Sequence, residues 1–214
     1  VSYANCGLPY YIGGEINDRK KLFVQTVQGF IDRFRIDIRT LQEVTAIHTD
    51  MKSIEVKNLK TGEVYTETYD KLALSPGAEP LRPGIEGIDN KKIFTLRNVA
   101  DTDAIKRYII EDKPTSAIVV GGGFIGLEMA ENLHRQGIDV SIVEMADQVM
   151  APLDFSMAQI VHEELASKGV RLILSDGVLR FSDEEGKVVV HLKSGHSLPV
   201  DMVLLSIGVR PDTK

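Results

Sequence analysis

The 214 residues contain one cysteine, Cys6, so an intramolecular disulfide framework is excluded and the composition fits a reducing cytoplasm. No stretch approaches the ~18 uninterrupted apolar residues of a membrane span. The first residues lack the basic region and apolar core of a signal peptide, so neither a membrane nor secretion is expected. The five histidines (His48, His134, His162, His191 and His196) show no metal-ligand spacing with one another or with Cys6, and no metal is expected. Basic residues form no stripe or tail and the net charge is −6, which argues against nucleic acid as a partner. Repeats and low-complexity tracts are also absent. What is present, 43% hydrophobic and 26% charged residues, is the make-up of an ordinary globular protein.

The hydrophobic period changes twice along the chain. Residues 18–34 read as an amphipathic helix, with Leu22, Val27, Phe30, Ile31 and Phe34 at three- and four-residue spacing and Asn17 or Asp18 as N-cap. From 36 to 74 the period becomes two, and the turn Lys60-Thr61-Gly62-Glu63 suggests an antiparallel meander with one solvated face. The Pro- and Gly-rich stretch 75–87 marks a domain edge. Residues 101–112 read as a helix capped by Asp101 or Thr102. After Pro114, buried strands and amphipathic helices alternate. Gly137 and Gly169 stop two of the helices, as glycine does just past a helix end.

The strongest motif is Gly121-x-Gly123-x-x-Gly126, between the apolar strand "SAIVV" and the helical run "FIGLEMAENLHRQ". Glu144 closes the next strand, 18 residues past Gly126. Gly121 would permit the tight turn, Gly123 the approach of a pyrophosphate, and Gly126 the close packing of helix on strand. Phosphates would meet the free N–H groups of the helix start. Glu144 would accept hydrogen bonds from the adenosine ribose. No arginine stands at 145–147 to neutralise a 2′-phosphate, so NADH is expected over NADPH. A dinucleotide loop of this kind serves nicotinamide and flavin cofactors alike.

Four segments carry a resemblance: "SYANCGLPYYIGG" (2–14), "YDKLALSPGAEP" (69–80), "VVGGGFIGLEMAE" (119–131) and "LLSIGVRPDT" (204–213). In this order they resemble the single-cysteine branch of the flavin-dependent pyridine nucleotide–disulfide oxidoreductases. The likeness is nearest to the coenzyme A-disulfide reductases and their NADH oxidase and persulfide reductase relatives. The resemblance implies an α/β fold: a Rossmann-like NAD-binding domain over 96–214, preceded by a partial FAD domain with an antiparallel meander over 1–95. It implies that electrons pass from NADH through FAD to a disulfide or persulfide at Cys6, with Ser2 and Asn5 near the sulfur. Phe124 resembles the aromatic that covers the flavin, Ile125 its neighbour on the loop, and Glu128 the residue at the nicotinamide end. Gly208 resembles a backbone contact near the nicotinamide, and Val44, Ser75, Pro76 and Gly77 would lie along the flavin. From periodicity alone Phe124 reads equally as a core aromatic, Glu128 as a solvated helix charge, and Cys6 as a small buried residue.

Relatives of this kind open with their own phosphate loop for FAD and continue past "GVRPDT" into a dimerisation domain. The expectation is therefore a central fragment of a cytoplasmic homodimeric enzyme, weakly active or inactive alone. Two further readings stand beside a reductase of CoA-disulfide or persulfide. One is an NADH oxidase or peroxidase working through a cysteine sulfenic acid, and the other is a non-catalytic NAD-binding module.

Overall fold

The computed structural model describes residues 2–213 and divides into two compact units. One is formed by Ser2 with Gln25–Gly77, the other by Tyr3–Val24 with the chain from Ala78 onward. The break at Gly77 lies inside the Pro- and Gly-rich stretch read as a domain edge. The division expected between residues 95 and 96 concerns cofactor domains rather than compactness.

The larger unit is built on a five-stranded sheet, entirely parallel, in the spatial order Arg171–Ile173, Asp139–Val143, Ser116–Val120, Met202–Leu205, Ile93–Thr95. Helices Val99–Asp112, Phe124–Arg135 and Phe155–Ser167 make the crossovers. The antiparallel strands Val178–Glu184, Lys187–Leu192 and Ser197–Val200 intervene before Met202–Leu205. The central strands are apolar at nearly every position because both faces are covered. Ala117, Val119, Met202 and Leu204 face one core, and Ile118, Val120, Val203 and Leu205 face the other. The first core also takes in Leu8, Ile12 and Leu22 together with Met129, Ala130 and Leu133 of helix Phe124–Arg135. The second is closed by Phe181, Val188, Val190 and Leu192 of the antiparallel layer.

This is the expected α/β architecture. After Ser116–Val120 the chain steps to one side of the sheet, and it returns on the other side as Met202–Leu205. The crevice beyond the carboxyl ends of these two strands is a topological switch point, where such sheets bind ligands.

The smaller unit holds the expected meander, Gln42–His48, Ser53–Asn58 and Val64–Thr68, antiparallel throughout with a bulge between Val44 and Ala46. Its helix runs only from Val27 to Phe34. The single helix expected over 18–34 is therefore corrected. Asp18 Oδ1 accepts the Lys20 N–H (2.9 Å) and closes one 3₁₀ turn, and Phe23–Gln25 is extended. The helix then starts afresh, because the Thr26 hydroxyl accepts the Gly29 N–H (3.0 Å). The apolar spacing continues across the break, which is why periodicity could not see it.

Two smaller corrections follow the same logic. Helix Val99–Asp112 starts ahead of the expected residue 101. Asn98 is its cap and Asp101 its N3 partner in a reciprocal capping box, with Asn98 Oδ1 accepting the Asp101 N–H (3.0 Å) and Asp101 Oδ2 the Asn98 N–H (3.2 Å). Strand Ser197–Val200 is not among those the sequence pattern predicts. It contains Pro199 and sits at the edge of its sheet, where a missing N–H is tolerated.

Candidate functional site

The glycine loop leaves the end of Ser116–Val120 at the switch point. Gly121 has φ +106°, a conformation that favours glycine, and its N–H is held by the Val143 carbonyl (2.8 Å). A Cβ there would stand 2.5 Å from the Ser206 carbonyl oxygen. Gly126 is a close approach, since a Cβ would stand 2.0 Å from the Gly121 carbonyl oxygen. Helix Phe124–Arg135 therefore lies directly on the loop.

Gly123 differs from both. It is the exposed, extended N-cap of that helix, has no capping side chain, and a Cβ there would meet nothing within 4 Å. The opening N–H groups of the helix thus have no side-chain acceptor and a clear approach. That is the geometry that binds phosphate through bare donors and the positive end of the helix dipole. A dinucleotide pyrophosphate fits this cradle.

Glu144 follows strand Asp139–Val143 at the same edge. Its Oε2 accepts the Gly122 N–H (2.7 Å) and its Oε1 the Ala146 N–H (2.9 Å), so the carboxylate is fixed to the loop itself. Each oxygen keeps a lone pair for a further donor, as a ribose diol requires. Gly121, Gly123 and Glu144 line a cleft of about 710 Å³, whose other walls include Ile85, Val178 and Phe181. The sequence motif thus comes together as one site.

Helix Phe124–Arg135 presents three more of the expected residues. Phe124 is 66% exposed and Ile125 43%, so the core-aromatic reading of Phe124 is not what the fold adopts. Glu128, one turn further on, is half-buried. Burial first, and then the neighbouring Glu131 charge, push its carboxyl up, and the Glu128 charge in turn raises the Tyr10 phenol.

Cys6 lies in the 3₁₀ turn Asn5–Gly7, immediately ahead of the short helix Leu8–Ile12, and is exposed. The packing reading of this cysteine therefore has no burial behind it. Asn5 beside it is exposed, Ser2 is half-buried in the strand Ser2–Tyr3, and no hydrogen bond to the sulfur occurs among the described residues. Leu8 and Ile12 anchor the turn from below in the first core. Gly208, with φ +109°, follows the end of Met202–Leu205 and accepts the Leu81 N–H (3.0 Å). Val44, Ser75, Pro76 and Gly77 belong to the smaller unit and are exposed.

Sequence reasoning missed Ser206, whose hydroxyl donates to the Val120 and Gly121 carbonyls (both 3.0 Å) and braces the loop from the neighbouring strand. It also missed Asp176 and Lys193 on the cleft wall. Their only signal is tertiary, because Asp176 follows the parallel strand Arg171–Ile173 and Lys193 the antiparallel strand Lys187–Leu192, and only the fold brings the two to one cleft. Among the described residues no cluster of three or more potential metal ligands occurs, and no helix is long and apolar enough to cross a membrane.

Comparison with known proteins places this geometry. The family described as "Pyridine nucleotide-disulphide oxidoreductase" matches residues 1–214. The coenzyme A disulfide reductase of Staphylococcus haemolyticus (strain JCSC1435) is 37% identical over 214 residues, which cover 100% of this chain and 47% of that protein. The solved structure of reduced CoADR-RHD from Bacillus anthracis is 53% identical with TM-score 0.95, over 100% of this chain and 38% of that one. An NAD-dependent persulfide reductase from A. fulgidus is 33% identical with TM-score 0.91, over 99% and 39%. The chain spans about half the length of the curated relatives it matches.

Proposed function

The chain belongs to the pyridine nucleotide-disulphide oxidoreductase family, and from that premise we propose that it carries the nicotinamide-dinucleotide site and the redox cysteine of a flavin-dependent disulfide reductase. Enzymes of this family work with FAD and NAD(H). One observation supports the nucleotide half above all others: the Glu144 carboxylate is tied to the Gly122 N–H (2.7 Å) at the mouth of a glycine loop whose helix start is open. Gly121, Gly123 and Gly126 shape the pyrophosphate cradle, and Glu144 takes the adenosine ribose. Phe124 and Ile125, both exposed at the start of the helix that follows the loop, cover the flavin side on this reading. Glu128 holds the nicotinamide end, and Gly208 offers its backbone there. On this reading 96–214 is the nucleotide domain and 1–95 the flavin-side segment, with Val44, Ser75, Pro76 and Gly77 lying along the flavin.

When bound, the two cofactors supply an electron pair from the nicotinamide, through the flavin, to sulfur. Cys6 is the acceptor. As thiolate it attacks one sulfur of R–S–S–R, forming Cys6–S–S–R and releasing R–S⁻. Two electrons and a proton then return the thiolate and release R–SH. The coenzyme A disulfide and persulfide reductases among its relatives indicate the substrate class, a small-molecule disulfide or persulfide. The whole protein acts as a homodimer in this proposal, with Asn5 and Ser2 beside the reacting sulfur.

The test uses the whole protein and two variants. Cys6→Ser abolishes NADH-dependent thiol release from CoA-disulfide and leaves NAD⁺ binding by calorimetry unchanged. Glu144→Ala weakens NAD⁺ binding on the order of tenfold, the loss of charge-assisted hydrogen bonds to the ribose. Full disulfide reductase activity in Cys6→Ser would rule the thiol role out.

A further inference from the structure

We propose that His162 is a positioning residue for the glycine loop, and that its protonation loosens the loop and weakens nucleotide binding below neutral pH. The proposal rests on the dinucleotide reading of the loop and adds its regulation.

Between strand Asp139–Val143 and helix Phe155–Ser167 the chain runs against the glycine loop as a short strap, residues 145–153. Val149 is fully buried and Met150 nearly so. The Val149 side chain fills the space beside Gly122, where a Cβ would stand 2.8 Å from its Cγ1. Met150 takes φ +54°, a left-handed conformation that a side chain adopts only where its surroundings hold it. In that conformation its N–H donates to the Gly122 carbonyl (2.8 Å).

This bond acts on the loop through one peptide plane. A trans peptide points its C=O and N–H in opposite directions, so holding the Gly122 carbonyl on the strap aims the Gly123 N–H away from it. The Gly123 N–H is one of the four opening donors of helix Phe124–Arg135, which have no partner within the helix. Gly122 is tied on its other side as well, because its N–H donates to Glu144 Oε2 (2.7 Å). The strap therefore sets the direction of a proposed phosphate donor without touching the ligand.

His162 holds the strap from its far side. Its Nε2 accepts the N–H of Val149 (3.1 Å), the residue next to Met150. A backbone amide can only donate, so this bond needs a bare Nε2 and places the ring proton on Nδ1. The Gln159 amide stands 3.2 Å from Nδ1, one turn back on the same helix, and its oxygen is the end that accepts there. Both nitrogens of the neutral ring are thus satisfied, whereas a proton on Nε2 sets donor against donor. The titratable groups on the surrounding elements are Glu144, Asp147 and Asp154 along the strap, Glu163, Glu164 and Lys168 on the helix, and Arg171 on the strand it packs against. Glu144 is taken up by the Gly122 and Ala146 N–H groups, and Glu164 pairs with Lys168 (3.6 Å). Among the described residues no carboxylate forms an ion pair with the imidazole, so none is in place to offset an added charge.

Histidine side chains change charge between about pH 5 and 8. The sign follows from the bond: the neutral ring carries it, so binding is complete at the upper end of that range and falls toward the lower end.

The test is calorimetric NAD⁺ titration of the whole protein at pH 7.5 and 5.5, with circular dichroism recorded at both. Wild type weakens about three- to tenfold at pH 5.5, the loss of one hydrogen bond in the support of the loop. His162→Leu has no acceptor and is weakened by a similar factor at both pH values. His162→Gln, whose amide oxygen reaches as far as Nε2 and accepts at either pH, restores wild-type affinity at pH 7.5 and loses less than about twofold at pH 5.5. A loss of wild-type size in His162→Gln overturns the assignment, and so does a wild type indifferent to pH. If His162→Leu fails to fold, the comparison of wild type with His162→Gln decides alone. A protein that binds no NAD⁺ at pH 7.5 overturns the dinucleotide reading of the loop, and the His162 assignment with it.

Discussion

Substituting alanine for Gly121 attacks the loop at its most constrained point. The residue sits at φ +106°, and its N–H is committed to the Val143 carbonyl. The added Cβ would lie 2.5 Å from the oxygen and 2.9 Å from the carbon of the Ser206 carbonyl group. That group cannot swing away freely. The Ser206 N–H is bonded to the Val120 carbonyl (2.8 Å), and its hydroxyl to Val120 and Gly121. Backbone strain of about 1–3 kcal/mol and a packing shift of similar size make the expected cost about 2–6 kcal/mol. Against a total stability of about 5–15 kcal/mol, this is a large loss. Urea denaturation followed by far-ultraviolet circular dichroism measures it, and NAD⁺ titration reads the loop. Gly123→Ala is the contrast. Its Cβ meets nothing within 4 Å, so stability changes by less than about 1 kcal/mol, yet the new methyl stands where the proposed phosphate would approach. The expected pattern is lost stability for Gly121→Ala and lost NAD⁺ affinity at retained stability for Gly123→Ala. Near-native stability of Gly121→Ala, or unchanged affinity of Gly123→Ala, would refute the assignment of these two roles.

Two further outcomes concern the frame that holds the site. Asp201 Oδ2 accepts the N–H and hydroxyl of Thr115 (both 2.8 Å) and of Ser116 (both 3.0 Å), and Oδ1 pairs with Lys187 (3.3 Å). Burial works to raise this carboxyl, but the bonds from Thr115, Ser116 and Lys187 prevail and hold it well below the usual range. Asp201→Ala should cost about 2–4 kcal/mol at neutral pH. A depressed folded-state value means the contribution is complete above the unfolded value of about 4 and fades as pH falls below it. Urea melts at pH 7 and 5 should show the same gap between wild type and variant, and melts below pH 4 a shrinking one; a constant gap contradicts the linkage. Asn98→Ala removes the capping bond to Asp101 and should cost about 1 kcal/mol by the same melts, with no measurable change if the cap is dispensable.

How far the sequence could be read depended on whether a signal was local. The run Ala117–Val120 is apolar without interruption because two cores meet it, and bounded by Pro114 and Gly121 such a short run reads as a doubly covered strand. The three loop glycines and Glu144 were legible for a similar reason, since each obeys a constraint spanning only one strand–helix–strand unit. The helix break ahead of Thr26 was hidden because a hydroxyl cap decides it while apolar spacing runs on unchanged. Asn98 was hidden by Asp101, which has the chemistry of a cap but serves as the third helical residue. Ser206 lies in the motif over 204–213, but its brace on the loop and the place of Lys193 on the cleft wall exist only once a distant strand and hairpin are brought there. The exposure of Phe124 was equally out of reach, since helical period alone assigns it to either face.

The buried contacts beneath the cysteine turn have a mechanical consequence. Leu8 and Ile12, on the helix that directly follows Cys6, share one apolar core with Met129, Ala130 and Leu133, on the helix that follows the glycine loop. The supports of the thiol turn and of the proposed nucleotide cradle are thus parts of one packed core. On the proposed reading, exchange of nucleotide at the loop leaves the support of the sulfur in place. A bulky or shortened side chain at Leu8 or Ile12 would then act as a misalignment, felt in turnover while the chemistry of both ends stays intact.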